Sequence, residues 1–413
     1  MKFKAPFPLF DTYREFKTLD FSNMSKERDV IKDFLSDIAC SSTPEYSYLA
    51  VRRFLHSYDK NEATFNSYRT HVERLLLWCL LISEKSIVSI SICDAESFMD
   101  FCLDPPKNWV GPVVKARFIR VGGRKKSADD VYVLNEKWRP FSITQSKSVS
   151  KISIEADVEP PRPSKYIITS ASVGQIFAVC ESFYEFLYRE GSVFANPFRG
   201  IQDRSRYTER GVSSVNSRVL TPTQWEYVIT TAEDMARENS AHERTLFILV
   251  TLFSFYLRVS DLIASSKFQN NLEPFLQDGK DWWFHGVRGS GSPFKIKAKP
   301  EYIEYLKRYR VSLSLSPLPR PEERTPLLSA VFGRDGLSDR HIRQLIQQVF
   351  DRAVDVMNRD LHAESEISNL RLASLHWLRH TSASFDAPLR DAHDLQADLD
   401  HKSSRTTRDD YYT

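Results

Sequence analysis

The sequence has little that would suit an extracellular or membrane protein. Its five cysteines all lie in the first half of the chain, mostly within apolar runs, with neither close pairing nor metal-ligand spacing. That distribution predicts reduced core cysteines and excludes a disulfide framework. The N-terminus lacks the basic-then-apolar pattern of a signal peptide, and no apolar run approaches the length of a membrane span. We therefore expect a soluble, cytoplasmic protein without a membrane partner.

Net charge is also small, at +3 from 57 basic and 54 acidic residues. A charge this small gives no argument for nucleic-acid binding by itself, so any DNA-binding groups must be clustered locally. The composition, 41% hydrophobic and 27% charged, is ordinary for a globular protein. A chain of 413 residues suggests two or three domains.

Apolar residues at helical spacing predict a mainly α fold with a small β-sheet, of the α+β class. Thr64 and Thr221 are expected to cap two of the helices, and Ser170 or Ser172 a third. Polar stretches rich in proline and glycine divide the chain further. The resulting segments are an N-terminal arm or extension at 1–44, a helical domain at 45–201 with a basic insertion at about 105–165, a linker at 202–217, and a C-terminal domain at 218–413.

The insertion carries a run of basic residues that alternates at first with apolar ones. This pattern predicts a β-hairpin or a basic loop suited to following the phosphates of DNA, with a solvated charged loop as the alternative. The candidate DNA-binding residues in it are Arg117, Arg120, Arg124, Lys125 and Lys126.

The last forty or so residues concentrate groups suited to phosphoryl transfer. His376 and Arg379 share one helix face and can reach one phosphate. Fixed guanidinium groups stabilise the charge that builds on a phosphodiester under attack. A phenol, with a pKa of about 10, needs a neighbour to accept its proton, and histidine suits that role. His380 follows His376 at a zinc-like spacing, but without a glutamate after the first histidine or a third ligand we expect no metal.

A second arginine, Arg258, closes the apolar run 246–257, and Asp261 is placed to orient it. Together with the C-terminal groups it forms a series whose order and distances resemble those of the tyrosine recombinase (phage integrase) family. The residues that carry the resemblance are Arg258, His376, Arg379, His401 and Tyr411. The resemblance covers about residues 60–413, by specific motifs in the C-terminal domain and by helical pattern before it.

The resemblance implies a helical core-binding domain followed by a tyrosine-recombinase catalytic domain. It implies a site-specific recombinase or integrase of a mobile element, which cuts and rejoins DNA strands through a 3′-phosphotyrosine. Tyr411 would attack the phosphodiester while Arg258 and Arg379 hold the charge. His376 would assist the proton transfer of the phenol, and His401 would hydrogen-bond the phosphate.

The family also has a lysine on a β-hairpin that protonates the leaving oxygen, most often between two turn glycines. Ser290 stands at that place in this sequence. Lys295, on the second strand of the predicted hairpin, is favoured, with Lys297, Lys299 and Arg288 as rivals.

Two features of the C-terminus bear on the choice of nucleophile. Tyr411 follows His401 by ten residues and Tyr412 by eleven, and the family spacing favours Tyr411. Asp400 replaces the glycine that usually precedes this histidine in the family.

The partners implied by the resemblance are specific double-stranded DNA sites and three further copies of the chain in a tetramer, with accessory DNA-bending or direction-setting proteins. Arg340 and Arg343 join the candidate DNA contacts, and neither ATP nor metal is expected. The setting would be a prokaryotic cytoplasm, at the nucleoid. Two other classes stay open: a type IB topoisomerase or telomere resolvase, and a DNA-binding relative that has lost catalysis.

Overall fold

The computed structural model describes residues 5–19, 23–24, 27–38, 40–114, 116–121, 131–143, 166–210, 218–263, 275–288, 292–320, 323, 325–328, 337–401 and 403–412. The chain forms two compact units, Met1–Val215 and Asn216–Thr413. Each is mainly helical with small sheets, so the predicted fold class is confirmed. Within the described ranges, no helix is long and apolar enough to cross a membrane.

The first unit is a helical assembly with short strands. Its helices are α1 (Tyr13–Phe16), α2 (Asp29–Ser36), α3 (Pro44–His56), α4 (Glu62–Trp78), α5 (Ile92–Leu103), α6 (Ser170–Arg189) and α7 (Ser205–Arg210), with a π-helical turn at Cys79–Ser83. Its strands are β1 (Val110–Pro112), β2 (Phe118–Val121), β3 (Val131–Leu134) and β4 (Phe141–Ile143). The β2 and β3 strands pair antiparallel within the basic insertion, and β1 pairs parallel to β4.

Local capping explains where two of these helices begin. Asn61 caps α4, because its side chain accepts the N–H of Thr64 at 3.1 Å. The prediction that Thr64 is the cap is therefore wrong by one turn. In α6 the cap is Thr169, whose hydroxyl accepts the N–H of Ser172 at 3.2 Å. Thr169 is one residue before Ser170 and three before Ser172, the two predicted caps.

One buried carboxylate ties the N-terminal segment to the core of the first unit. Glu73, on α4, accepts the backbone N–H groups of Leu9 at 2.8 Å and Phe10 at 3.1 Å. Its second oxygen accepts from Arg117, so the ion pair joins α4 to the start of β2. Phe10 and Phe16 are buried in the same apolar cluster as the helices.

The second unit surrounds one apolar helix. Its elements are α8 (Pro222–Glu238), α9 (Glu243–Ser254), α10 (Val259–Leu262), β5 (Phe275–Asp278), β6 (Asp281–Val287), β7 (Pro293–Lys297), α11 (Pro300–Ser312), α12 (Asp339–Arg359), α13 (Glu364–Leu372), α14 (Leu375–Asp386), α15 (Ala392–Leu399) and α16 (Ser404–Tyr411). Every residue of α9 from Thr245 to Leu252 is buried, and α9 packs against α8, α11, α12 and α14. The predicted cap Thr221 is confirmed, since its hydroxyl accepts the N–H of Gln224 at 3.2 Å.

The β-sheet of the second unit has the order β5–β6–β7, with both pairings antiparallel. The sequence predicted β6 and β7 and missed β5. In the register, Gly286 faces Phe294, and a Cβ on Gly286 would lie 2.3 Å from the ring. Only glycine therefore permits the aromatic ring to cover the strand at this point.

The Glu73 carboxylate provides a test of the first core. Replacing Glu73 with glutamine should lower the free energy of unfolding by about 3–5 kcal/mol, because Arg117 would remain as a partly buried, unpaired charge. Denaturant unfolding measures this cost, and faster hydrogen exchange at the Leu9 and Phe10 amides would localise it. The matched control is Glu190→Gln, which removes a half-exposed pair to Arg53 and should cost less than about 1 kcal/mol. Equal costs for the two variants would contradict the assignment.

Candidate active site

Helix α14 presents the His-x-x-Arg motif. It follows Ser374 and buries Leu375, Trp377 and Leu378 against the core of the unit. His376 is exposed and His380 is half-buried. The two histidine rings lie one turn apart with centroids 4.9 Å from each other, so they occupy a common helix face.

Arg379 lies beneath this face and is 3% exposed. Its guanidinium donates to the backbone carbonyls of Tyr256 and Leu399. It therefore connects α14 to the turn after α9 and to the end of α15. Burial, together with the nearby cations Arg258 and Arg288, lowers the pKa of Arg379 to about 10.

Arg258 is placed by a tight turn after α9. Tyr256 adopts a left-handed conformation, with φ of 51°, and Arg258 then caps α10. Its backbone N–H is held at 2.9 Å by Asp261, and its guanidinium, 39% exposed, lies 3.7 Å from the carboxylate of Asp400. Asp261 also lies 3.2 Å from the guanidinium of Arg288 in a fully buried pair.

Two arginines, a histidine and one carboxylate line a cavity of about 280 Å³: Arg258, Arg343, His376 and Asp339, which is paired with Arg343. Partial desolvation by the cavity wall lowers the pKa of His376, and Arg379, Arg218, Arg258 and Arg343 add to that effect. The cavity is thus an electropositive site of a size suited to a phosphate group.

The C-terminal helix α16 brings Tyr411 to the exposed face of α14. The Tyr411 hydroxyl and Nδ1 of His380 are 2.7 Å apart. The His401 ring lies nearly parallel to the Tyr411 ring with centroids 6.3 Å apart, and its Nδ1 is 3.0 Å from the Thr407 hydroxyl. The rival nucleophile, Tyr412, instead donates to the carbonyl of Arg390 at 3.0 Å.

The predicted lysine lies at a second cavity, of about 530 Å³. Lys295 is on β7, with its ammonium 4.3 Å from the Trp283 ring centroid and 3.8 Å from Asp278. Its rivals are also paired: Lys297 with Asp281 at 2.7 Å, and Lys299 with Asp386 at 2.7 Å. Ser290 lies outside the described residues.

The candidate DNA-binding residues are dispersed. Arg117 is committed to its ion pair with Glu73 and is mostly buried. Arg120 is half-exposed on β2, while Arg340 and Arg343 are exposed at the start of α12, with Arg343 2.7 Å from Asp339. Arg124, Lys125 and Lys126 lie outside the described residues.

Sequence reasoning missed two members of the site. His380 was considered only as a zinc ligand, although its spacing from His376 already placed it on the motif's face. Within the described ranges, no group of three or more histidine, cysteine or acidic side chains is arranged to hold a metal ion. Asp400 was noted only as an unusual turn residue; it has φ of 51° and faces Arg258.

Comparison with solved structures finds similar chains along most of the length. The XerH site-specific recombinase, in a post-cleavage complex with a palindromic difH substrate, has 12% identity and a TM-score of 0.49, covering 96% of this chain and 88% of its own. A lambda integrase dimer bound to a COC′ core site has 11% identity and a TM-score of 0.47, covering 94% and 82%. The Tn1549 transposon integrase with a circular intermediate DNA has 13% identity and a TM-score of 0.46, covering 88% and 94%.

All three are tyrosine recombinases, the family that the sequence motifs resemble. No protein-family model matches the chain. No curated protein matches it either.

The environment of His380 predicts an unusual titration. Burial lowers its pKa to about 4, and His376, Arg379, Arg218 and His401 act in the same direction. A histidine in the unfolded chain has a pKa of about 6.5, so between these values the unfolded state binds more protons. The contribution of His380 to stability should thus be present above about pH 6.5 and be lost as the pH falls toward 4.

Carbon-13 NMR of histidine-labelled protein measures this titration, with His380→Gln identifying the resonance. We expect the His380 signal to remain that of neutral imidazole at pH 5.5. A midpoint near the ordinary value of about 6.5 would contradict the described environment.

Proposed function

We propose that the chain is a tyrosine recombinase that cuts and rejoins DNA strands at specific sites through a 3′-phosphotyrosine intermediate. The observation that carries the proposal is the convergence of a phenol, histidines and arginines from four separate elements of the second unit. Tyr411 meets His380 at 2.7 Å, and the pKa of Arg379 is influenced by both Arg258 and Tyr411. Few reactions other than phosphoryl transfer to tyrosine need this set of groups together.

The phosphodiester would occupy the cavity lined by Arg258, Arg343 and His376. Of the two arginines proposed to hold the phosphate, Arg258 is more accessible than Arg379, and its guanidinium can form paired hydrogen bonds to phosphate oxygens. Arg379 uses N–H groups on two carbonyls, but a guanidinium carries five donors, so others remain for a phosphate. His401 would donate a hydrogen bond to the same group.

Cleavage proceeds by in-line displacement. The Tyr411 oxygen forms a bond to phosphorus while the bond from phosphorus to the 5′-oxygen breaks. The phenol loses its proton to a neighbouring base, and the leaving 5′-oxygen gains one, which gives a 3′-phosphotyrosine and a 5′-hydroxyl. The reverse step joins a 5′-hydroxyl to the phosphotyrosine, so neither ATP nor a metal is required.

The proposal extends to partners. Double-stranded DNA carrying specific sites is the substrate, and exchange between two duplexes needs four copies of the chain. Arg120, Arg340 and Arg343 are exposed enough to contact backbone phosphates. Arg117 serves the core through Glu73 instead. A prokaryotic mobile element, with accessory DNA-bending proteins, is the proposed setting.

A DNA-binding relative without catalysis is the second candidate. The observation that favours it is the position of Lys295, which lines a different cavity from Arg258 and His376. In this arrangement β7, which carries Lys295, does not supply a general acid to protonate the leaving oxygen. Topoisomerase activity would instead appear as relaxation of any supercoiled plasmid by a monomer.

Covalent trapping tests the proposed chemistry. Nicked suicide duplexes, taken from a randomised pool enriched for binding to the chain, would be incubated without metal or ATP. We expect a covalent protein–DNA adduct with the parent and with Tyr412→Phe, and none with Tyr411→Phe. The reason is that the Tyr411 hydroxyl lies 2.7 Å from His380, whereas the Tyr412 hydroxyl donates to the carbonyl of Arg390. Denaturing gel electrophoresis detects the adduct.

The same assay separates the alternatives. Adduct lost only in Tyr412→Phe would keep the activity and move the nucleophile. Absence of adduct with the parent on tightly bound DNA would favour the inactive DNA-binding relative. Arg258→Ala should abolish the adduct while weakening DNA binding only several-fold, because Arg258 contributes more to the transition state than to the bound duplex.

Asp400 supplies a separate prediction. Its carboxylate competes with phosphate for Arg258, so Asp400→Asn should tighten DNA binding about two- to fivefold, or up to ~1 kcal/mol. Asparagine tolerates the left-handed conformation as aspartate does, and the substitution therefore removes charge alone. Fluorescence anisotropy at low and high salt measures the effect, which should shrink as salt screens the charge.

The control for this comparison is Asp394→Asn. Asp394 is exposed on α15 and lines the cavity of Lys295 rather than that of Arg258. A gain in affinity of equal size in both variants would assign the effect to net charge instead of to the Arg258 pair.

A further inference from the structure

The contact between Tyr411 and His380 separates the roles of the two histidines on α14. His380 Nδ1 lies 2.7 Å from the phenolic oxygen, a normal distance for a hydrogen bond between neutral groups. His376 is exposed and lines the cavity with Arg258 and Arg343. One histidine thus faces the nucleophile, and the other faces the place proposed for the phosphate.

We infer that His380, rather than His376, is the group that accepts the phenolic proton when Tyr411 attacks DNA. The inference rests on the proposed function, since it concerns a step of the same reaction. In that step the Tyr411 oxygen bonds to phosphorus and the bond to the 5′-oxygen breaks. The phenolic proton passes to His380 Nδ1, and the 5′-oxygen takes its proton from a lysine or from water. On rejoining, His380 returns the proton to the phenolate as the phosphotyrosine bond breaks.

The surroundings keep His380 able to accept a proton. The charged and titratable groups around it are His376 and Arg379 on its own helix, Arg218 before α8, His401 after α15, and Tyr411 on α16. Burial, and after it the neighbouring positive charge, disfavours the imidazolium, so the ring is neutral at physiological pH and Nδ1 can act as an acceptor. The neutral tautomer then carries its hydrogen on Nε2.

DNA binding would strengthen His380 as a base. A phosphodiester placed beside Arg258 and Arg379 brings negative charge into a cluster of cations. An added negative charge favours the protonated form of a nearby histidine and raises its pKa toward the ordinary value of about 6.5. A base whose pKa approaches the working pH is the more effective one. The proton acceptor is thus weak in the free chain and improves when substrate is present.

The geometry also explains why the acceptor comes from α14. Arg379 is fixed on two carbonyls, from Tyr256 and from Leu399, so α14 cannot rotate without breaking both bonds. His380 follows it directly and inherits that fixed position. The small cluster of Ala383, Leu395 and Leu399 packs with Tyr411 and holds α16 against the same helix.

Single-turnover adduct formation on the suicide duplex tests the inference, with four proteins compared: parent, His380→Ala, His380→Gln and His376→Ala. Thermal unfolding and DNA affinity verify that each variant is folded and binds. We expect both substitutions of His380 to slow adduct formation about 10²–10³-fold. Glutamine keeps a hydrogen-bond acceptor but cannot take a proton, so it distinguishes proton transfer from positioning of the phenol.

Placing 3-fluorotyrosine at position 411 gives the second readout. Fluorine makes the phenol more acidic, which lessens the need for a base. The defect of His380→Ala should therefore shrink several-fold with fluorotyrosine, whereas that of His376→Ala should not. A purely structural defect would be the same with either nucleophile.

The outcomes are distinct. Parent-like rates in His380→Ala, restoration by glutamine, or a defect unaffected by fluorotyrosine would each overturn the role of His380 while leaving the recombinase function intact. Failure of the parent itself to form an adduct on bound DNA would overturn the proposed function, and the inference with it.

Discussion

The buried carboxylate of Asp261 is the constraint on which the arrangement of the second unit depends. It holds the backbone N–H of Arg258 and pairs with Arg288, and the side chains of that ion pair are only 1–2% exposed. Arg288 also donates to the carbonyl of Asp398, so the end of β6 is joined to α15. Removing either charge would leave the other unpaired in a nonpolar setting, which is far costlier than losing a surface pair. The pair therefore fixes position more than it adds stability.

Arg379 extends the same arrangement, because its guanidinium bridges the turn at Tyr256 and the end of α15. A site built on fixed cations has its electrostatic stabilisation in place before substrate arrives. The members of this site that remain accessible are Arg258 and His376. In the absence of DNA the cations of the site repel one another. The Asp400 carboxylate beside Arg258 reduces that repulsion.

Local signals were enough to predict the fold class and the Thr221 cap. They were insufficient where the partner is distant in sequence. Arg117 looked like a loop cation until Glu73, 44 residues away, was found to bind it. The role of His380 follows from its contact with Tyr411, which lies 31 residues later in the chain. Strand β5 is defined by its pairing with β6. Asn61 is a different case, because asparagine is a preferred N-cap residue and its role is readable from the local sequence. The prediction chose Thr64 because it directly precedes the apolar stripe.

Gly286, in the β-sheet, is linked through Phe294 to the buried Arg288–Asp261 pair, and this link constrains how these positions can change during evolution. The Phe294 ring covers the space where a side chain at 286 would be, and the guanidinium of Arg288 lies 4.1 Å from the centroid of that ring. Even a methyl group at 286 would force the ring to shift and would disturb its contact with Arg288. Residues 286, 288, 294 and 261 are thus coupled. A relative with a larger residue in place of Gly286 should have a smaller side chain in place of Phe294. In an alignment of relatives, these four positions would vary together instead of one at a time.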